Sequence, residues 1–163
     1  MKLLREVLAW ALFALLVGVL SVWPRYRMVD AGDAIVSLTF SHAAKRVGEC
    51  RTLSQEELNK LPPNMRKPAD CPRERHPVRV ELRSGDAVLY AGLLEPSGIW
   101  SDGKANVYRR IVVQSGIHEL FVGMNDSGDE AGFDYETQAR VDVLPGRNVV
   151  IRFDQQSNRF SIL

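Results

Sequence analysis

The residues able to bind a soft metal or carry redox chemistry are His42, His76, His118, Cys50, Cys71 and Met65. Imidazole nitrogen and soft sulfur suit copper. His42 and His76 flank the cysteine-containing segment, so a pair at its base with Met65, Cys50 or Cys71 nearby is one candidate ligand set. The competing reading leaves the two histidines on the surface and joins the cysteines to each other. Cys50 and Cys71 lie in a polar, proline-rich stretch, which suits one disulfide closing a loop in an oxidising compartment. Their spacing is not C-x-x-C, and zinc needs four ligands at tighter pairings, but a metal or redox pair and two free thiols stay open as alternatives. His118 alternates with Leu120, Val122 and Met124, the pattern of a half-buried, hydrogen-bonded sheet histidine. No G-x-S-x-G elbow occurs. We expect no catalytic residue and no cofactor.

Two further stretches carry recognition chemistry. Asn125 to Glu136 is the densest acidic run, yet it lacks the D-x-[DN]-x-[DN]-G order of a calcium loop and reads as a solvated hairpin loop. Trp100 is a lone aromatic between Ser97-Gly98-Ile99 and Ser101-Asp102-Gly103. An exposed indole there would anchor a partner or a sugar; turned inward, it would plug an open end of the core. Arg73 and Arg75 add a basic run. Trp100, Arg73, Arg75 and Met65 are therefore the candidate partner-binding residues.

What must position these groups is a β-rich chain with one insert. Phe133 to Val143 has mostly apolar odd positions and polar even ones, the mark of a half-buried antiparallel strand. Alternation and turn signals predict strands near 34–41, 77–83, 87–94, 106–114, 117–124, 133–143, 148–154 and 159–163. That set describes an antiparallel β-sandwich. Between the first two strands lies an insert, 43–76. In it Ser54-Gln55-Glu56-Glu57 is a capping box, Leu53 and Leu58 occupy hydrophobic-staple positions, and Pro62-Pro63 ends a helix over 55–61. Long ordered loops of this kind often carry function; covering an open sheet edge is the alternative.

Val88-Leu89-Tyr90, Val107 to Val113, Ser115-Gly116-Ile117-His118-Glu119-Leu120 and Leu144-Pro145-Gly146 through Ile151 together resemble the transthyretin-like and carboxypeptidase-regulatory-like β-sandwiches. The resemblance covers roughly residues 78 to 154 and implies a structural or binding module, with no catalytic residue to carry over. The cysteine loop lies outside that pattern and resembles uncharacterised single-pass bacterial envelope proteins.

An apolar, uncharged run from Val7 to Trp23 sits between Lys2/Arg5 and Arg25/Arg27. Its length suits a short membrane span, with Trp23, Tyr26 and the arginines at an interface. A cleaved signal peptide is the alternative, although Val19-Leu20-Ser21 is a poor cleavage site. The flanking charges are nearly balanced, and the cysteine pair argues for the oxidising side beyond the run. Net charge is +1, from 21 basic and 20 acidic residues, which argues against a nucleic-acid surface.

Together these readings predict an anchor, 1–27, and one extracytoplasmic β-sandwich, 28–163. The chain is expected in the bacterial inner membrane as a single-pass protein with its domain in the periplasm. There it would bind a membrane-protein or envelope partner without catalysis, as an accessory or assembly factor. A module binding carbohydrate, peptidoglycan or a metal ion is the second reading.

Overall fold

A computed structural model describes residues 2–24, 29–129 and 131–163; Arg25, Tyr26 and Arg27, expected at a membrane interface, and Glu130, in the acidic run, lie outside that set. The chain divides into two compact units, Met1–Asp30 and Ala31–Leu163.

In the first unit, helix α1 runs Lys2–Val22. Its 21 residues rise about 30 Å, the thickness of a bilayer's hydrocarbon core. Among the described residues it is the one helix long and apolar enough to cross a membrane. No residue of α1 is buried.

The second unit is built from strands. They are β1 (Asp33–His42), β2 (Arg51–Thr52), β3 (Ala69–Asp70), β4 (Val78–Ser84), β5 (Ala87–Leu94), β6 (Ala105–Gln114), β7 (Gly116–Asn125), β8 (Tyr135–Val143), β9 (Asn148–Asp154) and β10 (Arg159–Ile162), with a short helix α2 (Gln55–Lys60). Two four-stranded sheets form, in the orders β10-β9-β1-β6 and β5-β4-β7-β8. Their inward rows share one apolar core, in which Val36, Leu38, Leu82, Leu120, Met124 and Ile151 are fully buried.

Most pairings are antiparallel, but β1 and β9 run parallel, Val36 opposite Val149 and Leu38 opposite Ile151. This corrects the wholly antiparallel expectation. Hairpins announce themselves through local turns, whereas a parallel pair needs a long crossover, here most of the unit.

β8 starts later than its alternation predicts, because Phe133 leaves the strand. Its ring covers Gly123, where an added Cβ would lie 2.6 Å from the ring. Only glycine lets the aromatic close onto the outer face of β7. The two-residue β2–β3 ladder was absent from the sequence reading, since two residues carry no periodicity.

The register places the long connections at one end of the sheets. His42 pairs with Ala105, Val78 with Leu94 and Arg79 with Asn125. Insert 43–77, loop 95–104 and loop 126–134 therefore leave the sheets together, while β1 begins at the opposite end.

Candidate functional site

The insert is rooted in a buried ionic cluster. His42, at the last residue of β1, has its Nε2–H donating to Asp126 Oδ2 at 2.6 Å, and both residues are buried. The imidazole packs edge-on against Phe153 and Tyr135 at 5.1 and 6.1 Å. Its Nδ1 has no hydrogen-bond partner. Lys45 Nζ lies 3.1 Å from Asp134 Oδ1 and 3.5 Å from Asp126 Oδ1. Asp134 in turn accepts from the backbone N–H of Asp126 and of Ser127 and from the Ser127 hydroxyl. Burial would raise the Asp134 carboxyl, but these donors and the Lys45 ammonium outweigh it and hold its pKa at about 2. The Asp134 hydrogen bond raises the Lys45 pKa, and burial raises that of Tyr135. The acidic stretch is thus not simply a solvated hairpin: Asn125 and Asp126 are buried, and Asp134 organises the turn.

Above this root the insert forms a stem. Arg46 and Arg75 form an isolated antiparallel bridge, the Val47 N–H donates to Glu74 O at 2.9 Å, and β2 pairs β3. Cys50 and Cys71 are joined in a disulfide, which removes the thiolates from any metal set. Inside the loop α2 has the capping box read from its sequence. Glu57 N–H donates to Ser54 Oγ at 3.3 Å, while Ser54 N–H donates to Glu57 Oε2 at 2.8 Å. The Ser54 N–H and the Arg51 guanidinium hold the Glu57 carboxyl at about 2. A 3-10 turn, Pro63–Met65, follows, with Met65 largely exposed.

Loop 95–104 is fastened to the stem. Arg75 N–H donates to Ser101 O at 3.0 Å, and the Arg75 guanidinium donates from Nε to Asp102 O at 2.9 Å and from Nη1 to Ala44 O at 2.6 Å. The loop also ties itself, Gly103 N–H to Ser97 O and Ser101 N–H to Gly98 O, with Ser101 at φ 48. Its tip holds Ile99 and Trp100 outward, 96% and 68% exposed. Trp100 does not plug the core.

The candidate residues consequently differ in role. Arg73 is 73% exposed and lies 3.5 Å from Asp102, whereas the Arg75 head is occupied by backbone carbonyls. Arg73 joins Arg46, Lys67, Asp70, Cys71 and Asp102 around a cleft of about 490 Å³. Met65 lines a separate cleft of about 340 Å³ with Leu53, Leu61 and Lys67. The two histidines of the proposed metal pair each lie against loop 126–134. The His42 ring is committed to Asp126, while the His76 ring lies so close to Gly128 that an added Cβ would sit 2.3 Å from its Nδ1. Among the described residues, no group of three or more His, Cys, Asp or Glu is placed to hold a metal ion. His118 is half-buried and bonded to Ser84 Oγ and Gln114 O, at 2.8 Å each.

Sequence reasoning missed Arg46 and Lys67 as cleft residues, and Ile99 as half of the exposed tip. A signal for Ile99 existed, because the turn-forming triplets Pro96-Ser97-Gly98 and Ser101-Asp102-Gly103 flank Ile99-Trp100 on either side. No family model, no curated protein and no solved structure matches the chain.

Proposed function

We propose that this chain is a non-catalytic, membrane-anchored protein of the bacterial inner membrane. Its β unit is an Ig-like, transthyretin-like sandwich in the periplasm, and it binds a membrane-protein or envelope partner as an accessory or assembly factor. The observation that carries the reading is the Ile99–Trp100 tip. Two large apolar side chains are held in water by a loop that is hydrogen-bonded internally and fastened to the disulfide-closed insert. Exposed apolar groups on an ordered support are characteristic of interaction sites. A helix long and apolar enough to span supports the anchor, and the disulfide supports the oxidising side. Anchoring restricts the search to the membrane plane and raises the effective concentration near an integral partner.

The test is in-cell photo-crosslinking from position 100, compared with a variant in which 49–72 is replaced by a short Gly/Ser link. That excision spares Lys45, Arg46 and Arg75, which tie the stem to the sheets. A crosslink to an envelope protein that disappears on excision is the expected result. An unchanged crosslink in the excised variant would refute the assignment of the insert face.

A further inference from the structure

Charge is unevenly divided along the chain. Residues 43–76 hold eight Lys/Arg against five Asp/Glu, whereas 28–42 and 77–163 together hold nine against fourteen. The insert is a basic cap on an acidic body. Three of its eight cations, Arg46, Lys67 and Arg73, line one cleft with Asp70 and with Asp102, which belongs to the loop that carries the Ile99–Trp100 tip. Donors there exceed internal acceptors. Arg46 spends Nη1 on Pro72 O at 2.8 Å, Arg73 has one long contact to Asp102, and Lys67 has no hydrogen-bond or ion-pair partner among the described residues. Two guanidinium forks and an ammonium match carboxylates, which planar Arg binds in bidentate fashion.

Resting on the partner-binding reading of this face, we infer that the cleft and the tip form one bipartite site for an acidic polypeptide segment of the partner. Glutamate or aspartate side chains enter the Arg46/Lys67/Arg73 cleft, and an adjacent apolar residue packs on Trp100 and Ile99. The Asp102 backbone and side chain, bonded to Arg75 and close to Arg73, hold the two halves at a fixed separation.

The chain has three tryptophans, so full-length protein carrying Trp10→Phe and Trp23→Phe reports from Trp100 alone. In nanodiscs of neutral lipid it is titrated with a synthetic peptide of alternating glutamate and leucine, and with its glutamine counterpart. The expected result is a blue shift and reduced quenching of Trp100 with the glutamate peptide only, weakening as salt rises. Lys67→Glu with Arg73→Glu should weaken binding by about tenfold or more. Lys67→Gln with Arg73→Gln, at unchanged melting temperature, should weaken it less. Equal responses to both peptides, or undiminished binding by the charge-reversed protein, would overturn the inference. So would an equal Trp100 shift on anionic lipid without peptide, which would assign the site to a bilayer surface. Loss of the crosslink on insert excision, with both peptides behaving alike, would defeat this inference alone; absence of any crosslink from position 100 to an envelope protein in the intact chain would defeat the reading beneath it.

Discussion

At the scale of single residues, the cluster beneath the insert joins positions far apart in the chain. His42 and Asp126 are 84 residues apart. Asp126→Ala would leave the buried His42 Nε2–H without an acceptor and Lys45 with one carboxylate instead of two. An unmet buried donor costs about 1–3 kcal/mol, so urea denaturation should show a loss in that range, with Asp126→Asn losing less. Asp134 supplies the pH dependence. Its folded pKa, about 2, lies below the ordinary 3.8, so its contribution is fully present above pH 4 and disappears as pH falls toward 2. That contribution is on the order of 2 kcal/mol, lowered somewhat because the side chain is partly solvated. Asp134→Asn should flatten the acid limb of a stability-versus-pH curve between pH 4 and 2; an unchanged limb would contradict the assignment. These pairs were illegible in the sequence for a physical reason. A run of carboxylates reads as solvated unless its distant partner is known, and nothing local to Asn125-Asp126 points to the end of β1.

At the scale of elements, legibility follows locality. The capping box at Ser54 and Glu57 was readable because its donors and acceptors lie within four residues, and the strands because alternation is local. The parallel β1/β9 pairing and the β2–β3 ladder were not, since neither leaves a short-range pattern. The insert was legible as a closed loop with a helix, while its basic cleft was not, because Arg46, Lys67 and Arg73 converge only through the stem. Ser54→Ala removes the N-cap acceptor, a change worth about 1 kcal/mol. No residue of α2 is buried, so the loss should appear as faster amide exchange within 55–60 and leave the global unfolding midpoint unmoved. Opening the disulfide with Cys50→Ser and Cys71→Ser acts on the same element. It releases a loop whose closure restricts the denatured chain by about 3 kcal/mol. The stem contacts Val47–Glu74 and Arg46–Arg75 lie outside the bridge. Limited proteolysis should therefore cut the double variant within 51–70 while the sheets resist; cleavage spread evenly over the β unit would show that the bridge supports the whole fold.

At the scale of the whole molecule, the core and the apolar helix are separate devices. Among the described residues, every buried core side chain falls between Ala34 and Phe160, and none of α1 is buried. The exposure of a 21-residue apolar helix makes sense where lipid, not water, surrounds it. A charge at its midpoint tests this directly. Leu12 sits halfway along Lys2–Val22, and an arginine at the centre of a spanning helix costs roughly 2.5–3.5 kcal/mol on insertion scales. Leu12→Arg should shift the chain from the pellet toward the supernatant on alkaline carbonate extraction. The melting temperature of the β unit should stay the same, because no core contact is touched. The intact mass of the wild-type pellet fraction separates the two readings of the N-terminus: a retained anchor keeps residues 1–23, whereas a cleaved leader removes them. If Leu12→Arg pelleted like wild type, or if the pelleted chain lacked those residues, membrane attachment would have to come from the β unit.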